Sequence, residues 1–395
     1  MCMAGACRFR ICPGSEMESD ADRAEEFCEA LRCASQSGES LRIAGSDSKA
    51  FLTRGAGDLQ ARPVNRTLEV TAHRGMIDYR PEELVLTARA GTPLRLIEQA
   101  LAEANQYLPF EPPRFAGGGT LGGAIACGLS GPGRPWRGAV RDAVLGVEMA
   151  NGCGERLRFG GQVMKNVAGY DVSRLQAGAF GTLGLLLSVS VKVLPRPAAE
   201  QTRVFELDAR AALERCRAWA RRPHPISATC YLDGRLRVRL SGAAPAVEEA
   251  AVQLGGEEES DARFWEALRD HRLPFLADAA SESGSGLDSR DAAGPLWRCS
   301  MPPAAEVPLD DCLVSWAGAE RWWRPGPEPS ATLSAIAAAG GSARPFDGRF
   351  GLRDHGLTAA EMVYSARLRE AFDPAGVLNP ELAPRAPQRE LQRAD

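Results

Sequence analysis

Apolar residues recur at helical spacing from Asp20 to Ser37, where Ala24, Phe27, Cys28, Leu31 and Ala34 share one face and Gly38 closes the pattern. Leu41-Arg42-Ile43 reads as a short strand running into Gly45-Ser46-Asp47-Ser48-Lys49, and Thr67–Val70 and Leu84–Ala88 read as further strands. Thr92-Pro93 opens a helix with Leu94, Ile97, Leu101 and Ala104 on its apolar face and proline in its first turn. Residues 109–135 are too rich in glycine and proline for a regular element. Ala143–Ala150, a tight turn at Asn151-Gly152 and Glu155–Phe159 predict a hairpin. A long buried strand, Leu183–Leu194, ends at Pro195 and Pro197, which mark a domain boundary.

Past that point the pattern is again mixed. Val204–Leu207 and Ile226–Leu232 are strands around a helix over Ala209–Arg221. Arg235–Leu240 alternates strictly, with Leu236, Val238 and Leu240 on one face and Arg235, Arg237 and Arg239 on the other. That arginine row reads as a solvated strand face in preference to an anion site. Ala244–Leu254 and Ala262–Asp270 are helical, and residues 278–294, rich in Ser, Gly and Asp, read as a mobile loop. Strands at Leu296–Ser300 and Cys312–Trp316 and helices near 331–339 and 360–372 follow, with a closing tail at Phe372–Pro380. Trp316, Trp322 and Trp323 fit core packing or an interface anchor equally well.

Length and composition narrow the class. The 395 residues suggest two or three domains, and a formal net charge of −4 gives no field that would attract nucleic acid or an acidic membrane. No apolar run reaches the 18 or so residues of a membrane-spanning helix, and the N-terminus lacks a secretory pattern, so a cytoplasmic protein is expected. Eleven cysteines occur without a single C-x-x-C pair, which argues against a zinc ribbon or a ferredoxin-type cluster. Cys2, Cys7 and Cys12 stand five apart, but residues 1–16, ahead of Met17, read as a disordered extension and not as a metal site.

Glycine-rich tracts carry the candidate chemistry. Gly117-Gly118-Gly119-Thr120-Leu121-Gly122-Gly123 matches G-x-G-x-x-G, and Asp142 lies twenty residues after Gly122. Prolines before the tract and Gly128, Gly131, Pro132 and Gly133 after it deny it the strand and helix of a Rossmann unit. A tract without side chains still lets backbone N–H groups approach a diphosphate. Gly45-Ser46-Asp47-Ser48-Lys49 adds two hydroxyls and a cation to the same chemistry. A third tract, Gly160-Gly161-x-x-x-Lys165-Asn166-x-x-Gly169-Tyr170-Asp171, is followed by Gly178, Gly181 and Gly184.

This ordered set resembles the FAD-binding domain of the vanillyl-alcohol oxidase and p-cresol methylhydroxylase family, and within it the FAD-binding subunits of glycolate oxidases. The resemblance rests on GSDSKAFLTR at Gly45–Arg54, YRPEELVLTARAGTPL at Tyr79–Leu94, Glu111–Pro113, ACGLSGPG at Ala126–Gly133 and RPWRG at Arg134–Gly138. It extends through Arg141–Gly146, FGGQVMKNVAGYDVSRL at Phe159–Leu175, Pro225–Ser227, Trp265–Pro274 and FDPAGVLNP at Phe372–Pro380, so it covers most of the chain from Met17 to about Pro380. It implies an α+β protein: a two-lobed PCMH-type FAD-binding domain over 17–197, a smaller α+β cap domain over 198–358, and a C-terminal closing segment over 359–395. By the same resemblance Gly45, Ser46, Ser48 and Lys49 would hold the pyrophosphate, and Gly117, Gly118, Gly119, Thr120, Gly122 and Gly123 would line diphosphate and flavin. Arg141 and Asp142 would brace the ribose or diphosphate region, Lys165, Gly169, Tyr170 and Asp171 would border the cofactor, and Gly184 would touch its adenine end.

The departures from the family are informative. Asp47 puts a negative charge beside a phosphate loop unless it caps the following turn. Relatives often bond the flavin through a histidine in this loop; Ser48-Lys49 stands here instead, so FAD is expected to be non-covalent. His73, His224, His271 and His355 are the only histidines, none in the family's paired metal pattern, and Glu381 replaces a glycine after Asn379-Pro380, which leaves the part played by Asn379 open.

Oxidation of a 2-hydroxy acid needs a flavin, a base and a cation for the carboxylate. His73 and Arg74 are the nearest base and cation, but a packing histidine is the stronger reading of His73. The resemblance implies a division of labour instead: a paralogous catalytic FAD subunit oxidises glycolate to glyoxylate, an iron–sulfur subunit passes electrons on, and the complex admits peripheral association with the inner face of the membrane. A self-sufficient 2-hydroxy-acid dehydrogenase and a cofactor-free structural subunit are the two competing expectations.

Overall fold

The computed structural model describes residues 20–53, 63–115, 118–161, 170–261, 263–277, 295–307, 312–326, 328–346 and 358–382. The N-terminal extension with Cys2, Cys7 and Cys12, the 278–294 loop, and the candidate residues Gly117, Lys165 and Gly169 lie outside the described residues.

The first half runs α1 (Ala24–Ser37), β1 (Leu41–Ala44), β2 (Arg66–Glu69), β3 (Met76–Arg80), β4 (Val85–Arg89), α2 (Leu94–Glu103) and β5 (Gln106–Tyr107). It continues with α3 (Leu121–Cys127), α4 (Arg134–Arg137), α5 (Val140–Ala143), β6 (Val144–Ala150), β7 (Arg156–Gly160), α6 (Val172–Leu175), β8 (Leu185–Lys192) and β9 (Leu194–Pro195). These residues build two lobes. In the smaller, α1 lays Phe27, Cys28, Leu31 and Ala34 over the parallel pair β1–β2, and Val377 and Leu378 of the tail complete that core. In the larger, five antiparallel strands in the order β3-β4-β8-β6-β7 bury Leu86, Val147 and Val189 against α2 and α3.

Two expectations fail here for identifiable reasons. Residues 109–135 do contain regular structure: Thr120 caps α3 by accepting from the Gly123 amide at 3.1 Å. Leu121, Ala124 and Ile125 are buried under the large sheet, and that burial offsets the glycine penalty that made a helix look untenable. Pro93 sits at the N-cap of α2, not in its first turn. Strand β3 carries no apolar alternation: it is the sheet's edge, and its exposed positions are Ile77 and Arg80.

The second half forms β10 (Ala199–Glu206), α7 (Ala209–Trp219), β11 (Ile226–Leu232), β12 (Arg235–Gly242), α8 (Ala244–Leu254), β13 (Glu257–Glu259), α9 (Arg263–Arg269) and α10 (Pro274–Ala277). Then come β14 (Trp297–Ser300), β15 (Cys312–Ser315), β16 (Glu320–Trp323), α11 (Ser330–Ala338), β17 (Ser342–Pro345) and α12 (Ala359–Phe372). Eight antiparallel strands order as β13-β10-β12-β11-β15-β16-β14-β17. Trp316, Trp322 and Trp323 are all buried, as core residues. The arginine row of β12 is not solvated. Only Arg235 is exposed; Arg237 binds Glu259 at 2.8 Å over Phe264, and Arg239 is 5% exposed over Trp265. The sequence shows the alternation of β12 and the helix over Ala262–Asp270, but not that this helix, α9, covers the second face of the strand. No described helix is long and apolar enough to cross a membrane.

Candidate functional site

Strand β1 ends where the chain must turn, and Gly45–Lys49 does so with Asp47 in the left-handed region at φ 54°. The Asp47 carboxylate accepts two hydrogen bonds of 2.7 Å from Arg42 Nη2. Its charge is thereby met by a cation. The amides of Ser46, Ser48 and Lys49 donate to no acceptor among the described residues, so the loop presents unpaired N–H groups.

The second tract meets this loop directly. A Cβ on Gly45 would stand 3.1 Å from Thr120 Oγ1, and one on Gly119 would stand 3.3 Å from Lys49 Nζ and 3.7 Å from Ser48 Oγ. Side chains at either position would fill the space where the two loops face each other. Between them lies an open cleft of about 860 Å³, walled by Gly45, Ser46, Ser48, Lys49, Thr120, Gly122 and Gly123 on one side. Phe180, Gly181, Gly184 and Leu185 wall the other, with Asn379 and Glu381 from the tail.

Lys49 is the decisive side chain. It is 7% exposed, its Nζ lies 5.8 Å from the Phe115 ring centroid, and it makes no ion pair among the described residues. Burial pulls its pKa below the ordinary lysine value, with Cys127 and Asp270 opposing that shift only in part. An ammonium held away from water without a counter-ion is costly unless a ligand brings the anion. Nearby Cys127 is no nucleophile at neutral pH, since burial pushes its thiol up to about 11.

Several sequence-derived candidates do not reach this cleft. Asp142 caps α5, accepting from the Ala139 amide at 2.8 Å, which is why it follows Gly138-Ala139. Arg141, one residue earlier, points into a second cleft. Asp171 caps α6 through the Arg174 amide at 3.2 Å, and Tyr170 beside it is 96% exposed. Gly118 closes a turn onto Phe115 O at 3.0 Å and lies outside the lining. Gly184 does line it, with φ 154° and a missing Cβ that would collide with Met149.

Asn379 is the residue that motif reasoning left without a role. Its Oδ1 accepts from the Ile43 amide at 2.7 Å, and its Nδ2 donates to Phe180 O at 2.6 Å. One side chain therefore ties the end of β1 to the opposite wall, and the replacement of the following glycine by Glu381 leaves that tie intact. His73 is structural: Nδ1 accepts from the Arg23 amide at 3.0 Å while Nε2 lies 2.9 Å from Leu187 O. Both ring nitrogens are spent, and burial lowers its pKa, so it offers no free base.

A glycine-walled cleft between two lobes, with unpaired amides and a buried lysine, defines a protein built to hold a phosphate-bearing cofactor. Known proteins make the class specific. The FAD binding domain family matches residues 20–160. The glycolate oxidase subunit GlcE of Escherichia coli is 42% identical over 371 residues, covering 92% of this chain and 98% of that subunit. The glycolate oxidase subunit GlcD of Bacillus subtilis is 32% identical over 127 residues, 32% of this chain and 27% of its own. In fold, alkyldihydroxyacetonephosphate synthase aligns over 90% of this chain and 75% of its own with a TM-score of 0.61 at 14% identity. The chain belongs to the family of the glycolate oxidase subunit GlcE and carries its FAD-binding domain.

Proposed function

We propose that this chain is the FAD-binding subunit of a glycolate-oxidising complex, an FAD-dependent oxidoreductase acting on a CH–OH group, and that its FAD is held non-covalently between the two lobes. The observation that carries the reading is Lys49: a buried ammonium with no counter-ion among the described residues, beside the bare backbone at Gly119 and in the same loop as the amides of Ser46 and Ser48, which donate to no described acceptor. A diphosphate supplies the missing anion. Gly45, Ser46, Ser48 and Lys49 would hold it, with Thr120, Gly122 and Gly123 as the facing wall and Gly184 towards the far end.

When bound, FAD supplies a hydride acceptor. The chain's own residues orient it, keep its charge neutralised and shield it under Phe180 and the tail. No described histidine near the cleft is free to take the hydroxyl proton, so substrate oxidation falls to a paralogous flavoprotein subunit, with an iron–sulfur subunit carrying electrons on. Any peripheral attachment to the inner membrane face would come through the complex, since no described helix is long and apolar enough to span a bilayer.

Purified chain should carry close to one FAD per polypeptide, all of it released by acid precipitation. Glycolate alone should leave its absorbance unchanged. Pellet-bound colour would mean a covalent link, and bleaching by glycolate would restore the self-sufficient dehydrogenase. Replacing Ser48 by Ala and Lys49 by Glu should empty the protein of flavin while it stays folded; full flavin content in that variant would remove this loop from the site.

A further inference from the structure

A pocket of about 1020 Å³ lies between α4 and the end of α7, and it shares no residue with the cofactor cleft. Exposed Trp136, Ala220 and Pro303 rim it, and Trp316, Ala317 and Ala319 form an apolar floor. Gly318 interrupts that floor at φ 102°. A Cβ there would stand 2.8 Å from Leu213 Cδ2 of α7 and 2.9 Å from Pro303 O, so these neighbours close on the floor only over a glycine. The floor is also pinned. The Ala317 amide donates to Thr229 Oγ1 at 2.8 Å, and the Trp316 indole donates to Gly131 O at 3.1 Å. The hollow is therefore set by the fold itself, and a ligand would not have to order it.

The charge around it has one sign. Helix α7 and the turn after it carry Arg210, Arg215, Arg217, Arg221 and Arg222, in a chain whose formal net charge is −4. Glu214, the acidic residue among them, pairs with Arg210 at 3.2 Å, and the Arg215 guanidinium lies 5.2 Å from the Phe205 ring centroid. Arg217 lines the pocket. Arg221 and Arg222 follow Ala220 in a turn closed by their amides, which donate to Ala218 O and Trp219 O at 3.3 and 2.9 Å. None of these three makes an ion pair among the described residues. The carboxylate that lines the pocket, Asp142, already accepts from the Ala139 amide at 2.8 Å. A helix dipole favours cations in the last turn, which accounts for Arg217; Arg221 and Arg222 lie past Trp219, where α7 ends.

We propose that this pocket is a docking site for a partner protein, which inserts one bulky apolar side chain flanked by carboxylates. The hollow takes the side chain, beside an exposed tryptophan of the kind that anchors protein interfaces. The unpaired guanidinium groups of Arg217, Arg221 and Arg222 select acidic flanks, which also steer the encounter. Shape argues against a lipid surface as the occupant. A bilayer takes up apolar side chains that protrude from a helix face, whereas here the apolar floor is recessed. The proposal does not rest on the cofactor or on the oxidation of glycolate.

The test uses the full chain as purified, with flavin content measured first, so that the cofactor and the pocket are separate readouts. Random short peptides displayed on phage are selected on it, and the enriched sequences are synthesised and titrated by fluorescence anisotropy. Selection should converge on one aromatic or large aliphatic residue between acidic flanks. A220W, which fills the hollow, and the double variant R221E/R222E should each weaken those peptides by about tenfold or more, with flavin content and melting temperature unchanged. Affinity should also fall as salt is raised. No convergence, convergence on basic or uncharged sequences, or an affinity indifferent to both variants would overturn the proposal. Phosphatidylglycerol vesicles are titrated in parallel; vesicle binding that R221E/R222E abolishes, with no peptide selected, would overturn it in favour of a membrane contact. Peptide binding by a chain that carries no flavin would count against the cofactor reading and leave the pocket standing.

Discussion

Lys49 and His271 are buried ionisable groups, but their surroundings set them different tasks. Between the lowered pKa of Lys49 and the ordinary value of 10.5, the unfolded chain holds a proton that the empty native cleft does not. Its burial therefore costs stability below that window, and the cost fades as pH rises through it. A bound diphosphate reverses the balance by favouring the ammonium. FAD affinity should accordingly fall as pH rises past the pKa of Lys49 in the cofactor-free protein. Lys49→Met should weaken FAD by about 10- to 100-fold near neutrality, the worth of a hydrogen bond to a charged group, and flatten that dependence; fluorescence titrations across pH measure both. His271 is wedged among Phe115, Trp322 and Phe346 with its Nδ1 unpaired, and burial takes its pKa down to about 3. Native protein refuses a proton there that the unfolded chain accepts below its ordinary 6.5, so stability falls as pH drops from 6.5 towards 3. His271→Phe should remove part of that acid sensitivity, seen as a smaller difference between urea midpoints at about pH 7 and about pH 4.

At the scale of elements, the tail from Asp373 to Asn379 does more than its length suggests. Asp373 accepts from the amides of Val377 and Leu378 at 2.9 and 2.8 Å, shaping a turn that delivers both residues into the smaller lobe's core. Asn379 then bridges β1 and Phe180. Asn379→Ala should cost about 1–3 kcal/mol, because the Ile43 amide and Phe180 carbonyl lose their partner. It should also speed FAD loss from washed protein, since the wall at Phe180–Gly181 is no longer tied to the loop. Retained flavin with lowered stability would make the tail a structural clamp only. None of this was visible in a linear motif, because the partners of Asn379 lie more than 190 residues away. What the sequence did reveal is local: the faces of α1 and α2, the strands β6, β8 and β11, and the two glycine tracts. Asp142 and Asp171 cap helices in the structure; a carboxylate three residues before or after an amide caps a helix as readily as it braces a ribose, and spacing alone does not separate the two. Helix α3 was missed because its two glycines obscure a buried apolar face that only the sheet above it completes.

Over the whole molecule, the halves are joined by polar pins, and the strongest begins at Glu111. Its Oε1 accepts from Arg239 Nη2 at 2.7 Å and Arg137 Nη1 at 2.9 Å, while Oε2 accepts from the Gly133 amide at 2.7 Å. Arg137 goes on to Ser241 Oγ at 2.9 Å, and Arg239 Nε to Ser227 Oγ at the same distance. The carboxylate thus belongs to the FAD-binding half and its guanidinium partner Arg239 to the eight-stranded sheet, both nearly out of water. Removing the charge leaves two buried guanidinium groups with only the more distant Glu200, at 3.6 Å from Arg137 and 3.9 Å from Arg239, which costs far more than the pair contributes by existing. Glu111→Gln should lower unfolding free energy by about 3–5 kcal/mol, whereas Arg235→Gln, two turns of the same alternation earlier, should stay within about 0.5 kcal/mol because its Glu206 partner lies in open solvent. Urea denaturation of the two variants side by side checks the contrast. Arg235 and Arg239 are equivalent by pattern, so a large difference between them measures what the docking of one half on the other adds.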